Sequence, residues 1–313
     1  MELALLELEF FYMKGRYYIM EGRYEDGIND IMYVIDKSRQ IENYDYTLEG
    51  YKQLIFYYLQ INDTKRMGEY VELALELAVA RNYHREIGVF LRLRGLYYMM
   101  GGSYRLAESY LMESIQSLSV TKEMARQYAA NIAAAYNYIG EIRQAQEKYT
   151  DALNLFGKAI SLCPGNALSS LSVFYINAGK TAYFQQNLSA AQMYFDKAYG
   201  LYGQFDSFWK RSILDSYMAL TLIGQHQYQK ALEYLVSARQ NMGYIKNPSD
   251  FGTVYFAEAL ICKMGEKDQE IWEIFGETLR DSPDHYYRRA MKNLNQHLDK
   301  YEINLLNQLF KQG

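Results

Sequence analysis

This is an all-α sequence, and its pattern predicts a solenoid of about six helical hairpins closed by a C-terminal helical cap. Three observations carry this. A compact residue recurs as Gly27, Met67, Ala107, Ala152, Ala191 and Ala231, at intervals of 40, 40, 45, 39 and 40 residues, with Met67 the one large exception. A fixed period of that size marks stacked supersecondary units, none of which buries its apolar face alone. The 313 residues include only three prolines, Pro164, Pro248 and Pro283, each between helical stretches, so long runs are free to form uninterrupted helix. Turn residues fall between those runs, at Gly22, Gly101-Gly102, Asn187 and Gly224.

Each unit repeats one pattern. The first pairs Gly15-x2-Tyr18 with Tyr24-x2-Gly27, and the second pairs Tyr51-x2-Leu54-Ile55-x2-Tyr58 with Met67, Val71 and Ala74. The third has Gly95-x2-Tyr98, then Tyr104-x2-Ala107-x3-Leu111. The fourth reads Tyr136-x2-Ile139-Gly140, then Tyr149-x2-Ala152-x3-Phe156-x2-Ala159 and Pro164. The fifth has Tyr175-x2-Ala178-Gly179, then Leu188-x2-Ala191-x3-Phe195-x2-Ala198. The sixth has Met218-Ala219, then Tyr228-x2-Ala231-x3-Leu235-x2-Ala238. Gly and Ala sit where two helix axes approach closely, and the aromatic rings fill the space beside them. After Pro248 the pattern decays into helices near 250–264, 268–280, 284–298 and 302–311, with Leu294, Leu298, Ile303 and Leu306 turned inward. The chain thus divides into repeats over 1–247 and a degenerate repeat with capping helices over 248–313.

The fourth unit resembles the tetratricopeptide (TPR) pattern of aromatic, aliphatic and Gly on one helix, then Ala, Phe and a closing Pro. Arg143 departs from it, standing where the pattern prefers Tyr. The resemblance covers residues 1 to about 265 and implies a right-handed α-α superhelix. Its period exceeds the standard unit of about 34 residues by roughly one to two helical turns. Units this long resemble the sensor regions of bacterial multi-domain transcription activators. The Asn131–Gly140 and Trp209–Ile213 stretches look like the maltose-regulator and bacterial-transcriptional-activator-domain groups. That likeness implies the ligand- or partner-sensing part of a cytoplasmic regulator whose DNA-binding element lies elsewhere. The alternatives are a peptide-pheromone receptor of the Rap type and a generic protein-interaction scaffold. The Rap type carries an N-terminal three-helix bundle, whereas the repeats here begin almost at Met1. A chaperone-tail clamp fits less well, because its Lys and Asn positions read Asn137/Glu141 and Ile176/Lys180.

Composition narrows the function classes. Net charge is −4 with acidic and basic residues interspersed, so no basic footprint for direct nucleic-acid contact emerges. No apolar run reaches the length of a membrane span. Two cysteines in separate units, Cys163 and Cys262, and the lack of a signal peptide point to a reducing cytoplasm. The 33 tyrosines are read mainly as packing residues whose hydroxyls reach water or a carbonyl. No phosphate-binding loop is present, and the four scattered histidines lack a metal-ligand spacing. The expectation is a protein that is not an enzyme and needs no cofactor or metal.

What remains is the concave wall that the first helix of each TPR hairpin lines. Register on the compact residue brings Tyr12, Arg16, Lys52, Arg92, Asn137, Glu141, Gln144, Lys180 and Tyr183 to that wall. Carboxamides match peptide main-chain groups, and Arg or Lys matches a carboxylate, so the expected ligand is an extended peptide or a protein segment. Helix one is a separate signal. Leu3, Leu5, Leu6, Leu8, Phe10 and Phe11 wrap most of its cylinder, where a terminal solenoid helix is expected to be polar outside. That predicts a missing upstream domain or a homo-oligomer contact through Leu5, Leu8 and Phe11, the alternative being an end helix that is merely apolar on its surface.

Overall fold

The computed structural model describes residues 2–204 and 210–311, so Trp209 lies outside the described residues. Among these, seventeen α-helices and no strand occur. Five hairpins and their connections run α1 (Glu2–Met20), α2 (Tyr24–Gln40), α3 (Tyr44–Gln60), α4 (Thr64–Ala80), α5 (His84–Met100), α6 (Tyr104–Leu118), α7 (Lys122–Gln127), α8 (Ala129–Ala145), α9 (Tyr149–Leu162), α10 (Leu168–Phe184) and α11 (Leu188–Tyr199). The sixth hairpin is α12 (Arg211–Gly224) with α13 (Tyr228–Gln240), and the cap is α14 (Pro248–Gly265), α15 (Gln269–Phe275), α16 (Pro283–Asn293) and α17 (Lys300–Phe310). The fold is a TPR-type α-α superhelix. The long period is explained by long helices, with α2 to α5 each 17 residues. The single 45-residue interval accommodates the extra helix α7.

Local chemistry ends eight of the helices sharply. Left-handed residues close the turns at Gly22, Glu42, Asn62, Asn82 and Gly102, one every 20 residues, then at Glu147, Gln186 and His226. Such a residue ends a helix by turning its last carbonyls onto backbone N–H groups. Asn43, Asp63, Asn187, Asn247, Asp268 and Ser282 cap the following helices with side-chain acceptors, and Pro248 and Pro283 occupy first turns. Two expected turn residues therefore sit differently. Asn187 is a cap one residue past the left-handed Gln186, and Gly224 ends α12 under Leu188, whose Cδ1 would lie 2.6 Å from an added Cβ.

Packing follows the repeat register. Met67, Ala107, Ala152, Ala191 and Ala231 are fully buried. A Cβ on Gly140 would meet the Phe156 ring at 2.6 Å, and one on Gly179 would run into the Phe195 ring. The core forms two large bodies, one from Ile31 to Ile142 and one from Ile176 to Leu306. Between them lies an alanine-rich waist built on Ala133, Ala152, Ala159 and Ala178 with Phe156 and Phe174.

The cap does more than end the stack. Leu294 and Leu306 are buried, while Leu298 and Ile303 are half-buried. The chain after α16 runs back across the repeats. Tyr104 donates to the His297 carbonyl at 2.5 Å, Leu298 packs on the N-terminal core, and Tyr301 stacks on Phe184 with centroids 4.0 Å apart. At the other end, Leu8 is fully buried and Phe11 is half-buried against Tyr33. The exposed apolar groups of α1 are Leu3, Leu5, Leu6, Phe10, Met13, Tyr17 and Met20, so of the expected contact residues Leu5 alone faces outward.

Candidate ligand-binding face

The first helices of the hairpins, α1, α3, α5, α8, α10 and α12, carry polar residues about 40 positions apart that join one unit to the next. Tyr12 donates to Glu49 at 3.1 Å and accepts from Gln53 at 3.2 Å, tying α1 to α3. Arg16 is exposed, its guanidinium 5.5 Å from the Tyr12 ring centroid. Lys52 bridges Glu49 on its own helix and Glu86 on α5, at 2.7 Å each. Arg92 is buried and donates to Asn131 at 3.2 Å and to the Tyr138 hydroxyl at 3.5 Å on α8.

The network is densest between α8 and α10. Asn137, 1% exposed, donates to Glu141 at 2.6 Å and accepts from Asn177 at 3.0 Å. Asn177 also donates to Glu141 at 3.2 Å, and Thr181 donates to Gln144 at 2.7 Å. Burial pushes the Glu141 carboxyl above the ordinary range, while Lys210 and Lys180 pull it down. Each Asn or Gln offers both donor and acceptor, and Asn131, Tyr138, Glu141 and Asn177 are only half-buried.

The C-terminal segment covers the next positions. Lys180 pairs with the buried Glu302 at 3.0 Å, and Tyr217 donates to the same carboxylate. Burial disfavours the Lys180 ammonium, but Glu302 and Asp299 outweigh it and hold its pKa above the usual value. Asp299 is pushed up to about 6 by burial and by Glu302, with Lys180 opposing. Tyr183 packs edge-on against Tyr217, with centroids 5.6 Å apart.

The nine predicted residues therefore all occupy first helices, but mostly as members of an interhelix network rather than as free groups. Arg92, Asn137, Gln144, Lys180 and Tyr183 are buried. Asn177, Asn131, Tyr138 and Glu302 belong to the network and are missing from the predicted set. Asn177 stands 40 residues after Asn137, so the repeat register itself contained that signal.

No family model matches the chain, and no curated protein matches it. Solved structures do. The apo form of RapI aligns with a TM-score of 0.57 at 16% identity, covering 98% of this chain and 100% of that one. The apo form of the quorum sensor NprR from B. thuringiensis aligns with a TM-score of 0.61 at 15% identity, over 92% of this chain and 76% of that one. A Rap protein complexed with Competence and Sporulation Factor aligns with a TM-score of 0.59 at 17% identity, over 96% and 77%. The chain shares the helical-repeat fold of the Rap and NprR structures.

Proposed function

We propose that the chain is a peptide-sensing receptor module of the Rap and NprR kind, which binds its ligand on the inner face of α5, α8 and α10. The carrying observation is the row of half-buried amide and carboxylate groups along α8 and α10, where Arg92 holds Asn131, and Asn137 joins Glu141 to Asn177. An extended peptide presents alternating N–H and C=O groups, and carboxamides held in fixed orientation satisfy both without reorganising. The fold likeness to a Rap protein solved with Competence and Sporulation Factor supports this ligand class. The RapI comparison spans the whole of that chain, so the early start of the repeats no longer weighs against the Rap type. A sensing role inside a larger transcription regulator rests on the length of the repeat units, and the likeness to the quorum sensor NprR supports the sensing role. Binding rather than catalysis is the activity inferred. The free thiols of Cys163 and Cys262 fit a reducing cytoplasm.

Selection from a library of short linear peptides with free C-termini, followed by calorimetry, tests this. A selected peptide should bind stoichiometrically, and Asn177→Ala should weaken it at least tenfold, about 1.4 kcal/mol, with the fold retained. Failure to select any peptide, or equal binding by the variant, defeats the reading.

A further inference from the structure

Helix α1 has two apolar faces, and the fold uses one. Leu8 and Gly15 are buried, and a Cβ added at Gly15 would lie 3.0 Å from the Gly27 carbonyl of α2. On the opposite face Leu3, Leu6, Phe10, Met13, Tyr17 and Met20 are 81, 58, 61, 56, 57 and 74% exposed. Their spacing alternates three and four residues, a heptad seam about 26 Å long. Among the described residues, no other helix exposes more than two large apolar side chains. Single exposed apolar residues are ordinary on a protein surface, but a contiguous row marks a contact.

The charges beside the seam select the partner. One flank carries Glu9 and then Arg16, and the other carries Glu7 and then Lys14, so each flank is acidic first and basic second. We propose that α1 is a self-association surface, pairing antiparallel with α1 of a second copy of this chain. A two-fold axis between Phe10 and Met13 sets Phe10 of one copy against Met13 of the other, Leu6 against Tyr17, and Leu3 against Met20. It also brings Glu9 to Arg16 and Glu7 to Lys14 of the other copy, each pair twice by symmetry. A parallel arrangement sets Glu9 against Lys14 and Arg16 against Glu21, but it also sets Glu2 against Glu7, a repulsion that the antiparallel pairing lacks. Lys14 already pairs with Asp30 at 3.1 Å and Glu7 accepts from Tyr33 at 2.5 Å, whereas Glu9 and Arg16 are both exposed. The Glu9–Arg16 pair is therefore the cleaner probe.

Sedimentation velocity of the full chain over a wide concentration range tests the proposal. The wild type should show a monomer–dimer equilibrium. Phe10→Glu with Met13→Glu should give a monomer with unchanged circular dichroism and melting, since both positions face outward. Glu9→Arg or Arg16→Glu alone should weaken the dimer about tenfold, and the two together should restore it to within about threefold. The double reversal discriminates orientation, because in a parallel pair it sets the introduced arginine beside Lys14 and the introduced glutamate beside Glu21. A wild type that stays monomeric, or a dimer that survives the Phe10 and Met13 changes, overturns the proposal. Failure of the double reversal to restore the dimer overturns the antiparallel pairing.

Discussion

Lys180 shows how burial changes the meaning of a residue. As an exposed groove cation it would tolerate alanine; under α17 it is the counter-ion of Glu302, which is 1% exposed. Removing one member of a buried pair leaves the other charge uncompensated, at about 3–5 kcal/mol. Lys180→Ala should therefore lower stability by roughly that amount, whereas Lys180→Met with Glu302→Gln should recover most of it; denaturant titration of the wild type and the two variants decides. Glu258 supplies a pH signature. Burial raises its carboxyl to about 7, with Arg239, 3.3 Å away, opposing. The folded state thus binds a proton more tightly than the unfolded one, so this contribution is fully present below the unfolded pKa. It is lost as pH rises toward about 7, and stability should fall between those limits. Asp215, also raised to about 7 by burial, adds to the same slope. Glu258→Gln should flatten the fall by on the order of 1–3 kcal/mol, measured as melts across that interval. An unchanged slope would exclude Glu258 as its source.

At the level of helices, the hairpin crossings carry the fold. Gly179 and Phe195 interlock so closely that no Cβ fits between helix and ring, and Ala152 is fully buried at the neighbouring crossing. Gly179→Leu should destabilise by about 1–3 kcal/mol or more through overpacking, read from a thermal melt. A neutral result would mean that the helices do not cross there. These crossings were legible in the sequence because Gly179 and Phe195 recur at the same register as Gly140 and Phe156. Asn177 was legible in the same way, one period after Asn137. The role of Glu302 was not, since the cap has lost the repeat and no spacing relates Glu302 to Lys180 from so far along the chain. The seam of α1 was half-legible: its apolar excess stood out, but which face the fold would claim depended on the packing of Leu8 and Gly15 against α2.

Across the whole molecule, two cores meet at an alanine-rich waist, and the C-terminal segment spans that waist from α17 to Tyr104 and the N-terminal core under Leu298. The polar network runs from Tyr12 on α1 to Lys180 on α10, and its half-buried members Asn131, Tyr138, Glu141 and Asn177 lie on α8 and α10 beside the waist. Whether this inner stretch receives a peptide is decided by cross-linking. A selected peptide bearing a photoreactive benzophenone side chain is coupled to the full chain, and the adducts are mapped by mass spectrometry. The expected adducts fall on α5, α8 and α10 near Arg92, Asn131, Glu141 and Asn177, and diminish with Asn177→Ala. Adducts confined to the second helices of the hairpins or to α1 would contradict a peptide site on the inner face.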